Sequence, residues 1–120
     1  MVEALLPILF SARIVTFAVA DATLDVPLAR IARVSAEPAI EDVGIGPGLV
    51  FCMDDELATA FERLTGEHIG HRMRIVFDGR TALEATVRVP IENGCAVVRD
   101  DEAGAALFRT LRAHDAFVGE

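Results

Sequence analysis

The side chains in this sequence best suited to chemistry are its three histidines: His68 and His71, spaced i, i+3, and His114. Neutral imidazole is a common zinc ligand, but zinc takes three or four ligands, each oriented by an outer partner. His68-x-x-His71 supplies half of such a set, and two histidines in a polar segment read more simply as surface residues. Two acidic triplets, Asp54-Asp55-Glu56 and Asp100-Asp101-Glu102, offer carboxylates. Consecutive helical side chains point about 100° apart, so neither triplet converges on one ion. Asp and Glu in these positions suit the start of a helix, where they cap orphan N–H groups and meet the positive end of the helix dipole. Gly44-Ile45-Gly46-Pro47-Gly48 has the glycine density of a phosphate-cradling loop. Such loops open a helix; this one opens the apolar run Leu49–Met53 and reads as a turn between strands. Cys52 and Cys95 fall in two predicted strands. Free cysteines are usually buried as small hydrophobes, and a bridge requires neighbouring strands with Cα atoms within about 7 Å. Arg72, Arg74, Arg80 and Arg88 form a basic group, read as a solvated face pairing with carboxylates, each exposed pair contributing little; contact with an acidic partner segment is the functional alternative.

Composition narrows the chemistry further. Of 120 residues, 19 are acidic and 11 basic, for a net charge of −8. That field repels phosphates and anionic headgroups, so nucleic acid and polybasic membrane docking are not expected. Every basic residue is Arg, and Lys, Tyr, Trp and Gln are absent. Schiff-base lysines and tyrosine acids are thereby excluded. Ser11 and Ser35 lie outside any G-x-S-x-G context. We therefore expect no catalytic, cofactor or metal site. The apolar fraction is 52%, which leaves room for a patch that a partner or a second copy covers.

The elements that position these residues follow from periodicity and turn chemistry. In Arg72-Met73-Arg74-Ile75-Val76-Phe77, apolar and polar positions alternate as in a half-buried strand. Asp78-Gly79 then supplies the positive φ that a tight hairpin requires. A strand over Arg80–Pro90, a second turn at Asn93-Gly94 and a strand over Cys95–Val98 complete a three-stranded antiparallel meander. Helices are predicted on either side, Asp54–Leu64 and Asp100–Ala113. Leu57, Phe61 and Leu64 share one face of the first, and Thr65-Gly66 ends it with Gly as a left-handed cap. Earlier in the chain, a strand over Ala12–Ala20, a short strand over Ile31–Ala36 and a loop over Glu37–Gly48 are expected. Ala4–Phe10 is apolar, but Pro7 and Arg13 break it short of the ~20 residues that span a bilayer, and Glu3 spoils it as a signal peptide. The predicted class is α+β: a single antiparallel (mixed) sheet with a three-stranded meander and two helices packed on it. Residues 1–120 form a single domain, with N-terminal strands and a Pro/Gly-rich loop over 1–47, a core over 48–113 and a tail over 114–120.

One run carries a family likeness: Phe61-x-x-Leu64-Thr65, Ile69-Gly70, Met73 to Arg80, then Val89-Pro90-Ile91-x-x-Gly94. In order and spacing it resembles the head subdomain of the first large periplasmic domain of the SecD/SecDF protein-export family, best over 48–113. Asn93 stands where that family usually has a second Gly, and Asn also tolerates positive φ. Arg99-Asp100-Asp101 replaces the family's Ser-Gly-x-Phe before the last helix. The resemblance marks Thr65, Gly70, Asp78, Gly79, Pro90, Asn93 and Gly94 as structural motif residues, to which the helix starts read above add Asp54 and Asp100. It implies a non-enzymatic module outside the cytoplasm that contacts extended polypeptide during export, work that strand edges can do without a catalytic residue. The alternative is a self-associating structural domain with no export role. A homodimer is expected from the apolar surplus, since two-fold dimers are the commonest symmetric solution.

Overall fold

A computed structural model describes residues 13–37, 44 and 46–118. The expectations for residues 1–12 and for most of the Glu37–Gly48 loop lie outside the described residues. The elements run β1 (Ile14–Val19), β2 (Ala22–Pro27), a 3-10 turn (Leu28–Arg30), β3 (Ile31–Glu37), β4 (Gly48–Met53) and α1 (Asp55–Gly66). They continue with β5 (Arg72–Phe77), β6 (Arg80–Thr86), β7 (Cys95–Arg99), α2 (Ala105–Arg112) and β8 (Phe117–Val118). The α+β class holds, but the strands form two sheets and not one, in the orders β2-β1-β5-β6 and β7-β4-β3-β8. All pairings are antiparallel except β3 with β8. The chain visits the sheets alternately, β1–β2 in the first, β3–β4 in the second, β5–β6 in the first again, then β7 and β8 in the second.

Alternation in β1 and β5 determines which face turns inward. Val15, Phe17 and Val19 are buried from β1, and Met73, Ile75 and Phe77 from β5, with Arg72 and Arg74 exposed on the opposite face. The second sheet contributes Val34, Leu49, Phe51, Met53 and Val98. The two inner faces and both helices share one hydrophobic cluster. Phe17 stacks on Phe51 of the other sheet at 6.2 Å between ring centroids, and meets Phe61 of α1 at 4.6 Å. Burying each such side chain stabilises by roughly 1.5–3 kcal/mol, and edge-to-face or offset contacts add to that. α1 packs on β2 and β4 through Leu57, Phe61 and Leu64, as the i, i+4, i+7 spacing requires; α2 packs on β4, β6 and β7 through Leu107, Phe108 and Leu111.

The predicted meander is only half there. Asp78 (φ 52) and Gly79 (φ 77) form the β5–β6 hairpin turn as expected. β6 ends at Thr86 and not at Pro90, because the ladder closes where Val87 N–H donates to His71 O at 2.9 Å and Gly70 N–H to Val87 O at 2.7 Å. Residues 87–94 then cross to the other sheet, where β7 pairs with β4. Asn93-Gly94 is therefore the entry to that pairing and not a hairpin turn: Gly94 (φ 69) has its carbonyl bonded to Met53 N–H at 3.0 Å.

Four further expectations need correction. β2 was not anticipated: its turn, Ala20-Asp21, lacks the usual glycine, and Ala20 itself takes the left-handed conformation at φ 52. Gly66 lies within α1, and the C-cap, Glu67, is right-handed at φ −85; positive φ is deferred to Gly70 at φ 93. Asp100 does not cap α2, which starts later behind Gly104; Asp101 Oδ1 instead accepts from Gly104 N–H at 2.7 Å, closing a turn that precedes the helix. The tail supplies β8, so it belongs to the second sheet.

Candidate functional site

The His68 and His114 rings are held by backbone groups. His68 Nδ1 lies 2.8 Å from Leu64 O. His114 Nε2 donates to Leu28 O at 2.7 Å while its Nδ1 accepts from Ala116 N–H at 2.9 Å, which engages both ring nitrogens and ties the C-terminal turn to the 3-10 segment. His68 and His71 meet edge-on at 5.9 Å between centroids. Among the described residues, no three His, Cys, Asp or Glu side chains gather in a metal-binding group.

The first acidic triplet works as read. Asp54 Oδ1 accepts from Leu57 N–H at 3.0 Å, capping α1. Sequence reasoning missed its partner. Arg30, at the end of the 3-10 turn, donates from Nε to Asp54 Oδ2 at 2.7 Å and from Nη2 to Asp54 Oδ1 at 3.2 Å; Nη2 also reaches Glu56 Oε1 at 2.7 Å. The Arg30 hydrogen bond, seconded by Leu57 N–H, holds the Asp54 carboxyl below its ordinary value, and Asp54 and Glu56 raise Arg30 in turn. On the outer face of the first sheet, Arg72 Nε donates to Glu84 Oε2 at 3.2 Å and lowers the Glu84 pKa.

The motif residues come together along the flank and C-terminal end of α1. Thr65 is fully buried; its Oγ1 donates to Phe61 O at 2.9 Å and accepts from Ile91 N–H at 2.9 Å. Pro90 lies against Gly66, and a side chain at Gly94 would meet Ala58 Cα at 3.0 Å. Asn93 Oδ1 accepts from Cys95 N–H at 3.1 Å. Gly70, Thr65, Pro90, Asn93 and Gly94 thus strap the 87–94 crossover to α1 and aim β7 at β4. Asp78-Gly79 sits apart at a hairpin tip, where Arg13 reaches Asp78 Oδ2 at 3.4 Å and lies over the Phe77 ring at 4.9 Å. Asp100 closes onto the Gly-rich loop, its N–H donating to Pro47 O at 3.3 Å.

Cys52 and Cys95 form a disulfide, with Cα atoms 4.0 Å apart. They occupy directly opposed positions of β4 and β7, so the pairing that the sequence left open is decided by the crossover delivering β7 beside β4. The bridge lies on the outer face of the second sheet, level with Arg33 and next to Ser35, Val50 and Val97. Among the described residues, β2, β6, β7 and β8 are the outermost strands of the two sheets, each with one edge unpaired. None of the described helices is long and apolar enough to cross a membrane.

No protein-family profile and no curated protein sequence matches the chain. Solved structures do. A structure of SecDF, described as a membrane component that enhances protein export, is 30% identical over 72% of this chain and 40% of its own, with a TM-score of 0.54. SecDF in a Super-membrane-facing form is 20% identical over 87% of this chain and 19% of its own, with a TM-score of 0.56. The chain thus spans less than half of either SecDF chain it matches. Its fold is SecD-like.

Proposed function

We propose that this chain of SecD-like fold is a non-enzymatic binding module that contacts extended polypeptide in protein export, corresponding to the head subdomain of the first periplasmic domain of SecD. The likeness to SecDF at 30% identity carries the reading. The Cys52–Cys95 disulfide supports a place outside the cytoplasm, since such bridges persist in oxidising compartments. Open strand edges on a rigid scaffold support the polypeptide partner, because an edge binds backbone without needing catalytic groups. The two-fold dimer expected from the apolar surplus remains a separate proposal, tested by sedimentation equilibrium. A test of the main reading is fluorescence anisotropy of a labelled, permanently unfolded polypeptide titrated with the chain. Saturable binding that the same polypeptide loses when folded is the expected result. No binding at millimolar concentrations, with the disulfide intact, overturns it.

A further inference from the structure

The four free edges differ in how open they are. β6 is broken by a bulge between its pairings with Ile75 and Val76, and a bulge blunts an edge by twisting it away. On β7 the Cys95 N–H is taken by Asn93 Oδ1, and Gly104 sits hard against Arg99 O. β8 has two residues. β2 has six and pairs with β1 without interruption.

The phase of the β1–β2 ladder is fixed by its last bond, Leu28 N–H to Arg13 O at 3.2 Å. Antiparallel pairs alternate between exchanging and non-exchanging positions. Counting back from Arg13 and Leu28, the exchanging pairs are Val15–Val26, Phe17–Leu24 and Val19–Ala22. The N–H and C=O groups of Thr23 and Asp25, and the Pro27 carbonyl, therefore point away from β1, repeating about every 6.8 Å. No backbone partner meets them among the described residues. Beside this edge runs a groove between β2 and α1, lined by Thr23, Leu24, Ala60, Arg63, Leu64 and Glu67. Its floor, Leu24 and Leu64, is apolar. The groove carries one charge of each sign, Arg63 and Glu67; the exposed carboxylates of this edge, Asp21 in the turn and Asp25 beside Thr16, whose Oγ1 donates to Asp25 Oδ1 at 2.9 Å, stand outside it, Asp25 on the outer face of the sheet.

We propose that the β2 edge, with the β2–α1 groove, binds an extended polypeptide segment by strand addition, a segment that alternates apolar with basic residues. The alternating donors and acceptors of Thr23 and Asp25 fit extended backbone. Every second side chain of the added strand meets the Leu24–Leu64 floor, and the others lie on the outer face beside the Asp25 carboxylate, which basic residues suit. This assignment rests on the polypeptide-binding reading above and names its site.

The probe is a labelled, unstructured peptide alternating Val and Lys, read by anisotropy on the full chain. Thr23→Pro and Asp25→Pro each remove an N–H that no bond among the described residues uses, a change that edge strands tolerate. Each is expected to weaken binding about five- to tenfold, the worth of one or two hydrogen bonds. Glu84→Pro on β6 and Val97→Pro on β7 are expected to leave it unchanged. With the unaltered protein, the same peptide N-methylated at alternate amides is expected not to bind, and this arm is independent of any effect of proline on folding. Binding of the N-methylated peptide, or Thr23→Pro and Asp25→Pro proteins of unchanged circular dichroism and unchanged affinity, overturns the assignment. If Glu84→Pro or Val97→Pro abolishes binding instead, another edge is the site and the polypeptide reading survives. If the chain binds the unfolded polypeptide but not the Val–Lys peptide, the stated chemistry is wrong. If it binds neither, both readings fall together.

Discussion

Reducing the Cys52–Cys95 bridge should cost this chain a large share of its stability. The two positions are 43 residues apart in sequence, and closing a loop of that length removes about 13 cal/mol/K from the unfolded ensemble, or about 4 kcal/mol at 25 °C. A small domain has only about 5–15 kcal/mol in total. The perturbation is the double variant Cys52→Ala, Cys95→Ala, compared with the oxidised and the dithiothreitol-reduced parent. Both cysteines face outward and are partly exposed, so truncation to Ala leaves no core cavity, and the loss reflects the cross-link. The assay is urea unfolding followed by circular dichroism. With a slope of about 1.5 kcal/mol/M, the midpoint should fall by roughly 2–3 M in both the variant and the reduced parent. A fall below about 0.7 M, corresponding to about 1 kcal/mol, would refute the reasoning. The unfolded chain would then gain little freedom from breaking the bridge, and the β4–β7 ladder would be holding that edge unaided.

Two other perturbations probe the strap and the helix cap. Thr65→Val keeps the shape but strands the Ile91 N–H inside the protein, which should cost about 1–3 kcal/mol; faster amide exchange at Ile91 would localise the loss, and unchanged stability would mean the crossover does not depend on this hydroxyl. The Asp54 and Glu84 pKa values are lowered in the fold from ordinary values of 3.8 and 4.5. Their contribution is complete above those values and disappears as the pH falls through the lower folded ones. Unfolding free energy measured from pH 6 to pH 2 should decline with acid, less steeply in Asp54→Asn, and an identical decline in that variant would exclude the Arg30 contact as a source of acid lability.

Residues whose role is set by near neighbours were legible in the sequence. Leu57, Phe61 and Leu64 bury as their spacing requires, Asp54 caps α1, and Asp78-Gly79 turns the hairpin, because each obeys rules that act within one element or one turn. The resemblance named Thr65, Gly70, Pro90, Asn93 and Gly94 without saying what they hold. Their common task, strapping the crossover to α1, depends on contacts distant in sequence, such as Ile91 N–H to Thr65 Oγ1 26 residues away and Gly94 against Ala58, that no local pattern encodes. The same dependence hid the second sheet. Asn93-Gly94 has the composition of a hairpin turn, and only the bonding of Ile91 and Gly94 to α1 and β4 sends the chain elsewhere. The bridge follows from that destination. β2 went unseen for a different reason: an Ala at positive φ gives no turn signal, and Asp25 and Pro27 lower strand propensity on what proves to be an edge, where both are tolerated.

The alternation of the chain between its two sheets also bears on synthesis. Through the end of α1 a nascent chain holds two hairpins that share no backbone pairing. β1 still lacks β5 and β4 lacks β7, so the core around Phe17, Phe51 and Phe61 lacks Met73, Ile75, Phe77 and Val98. Neither sheet is complete until a later visit by the chain supplies its next strand, so the native pairings cannot accumulate vectorially. Non-local pairing of this kind is slow and leaves apolar surface open while it waits. Pauses in translation beyond Gly66 should therefore favour aggregation more than pauses before β1–β2 is finished. Residues 95–99 supply the strand that completes the β4 ladder, and only the two-residue β8 follows in that sheet.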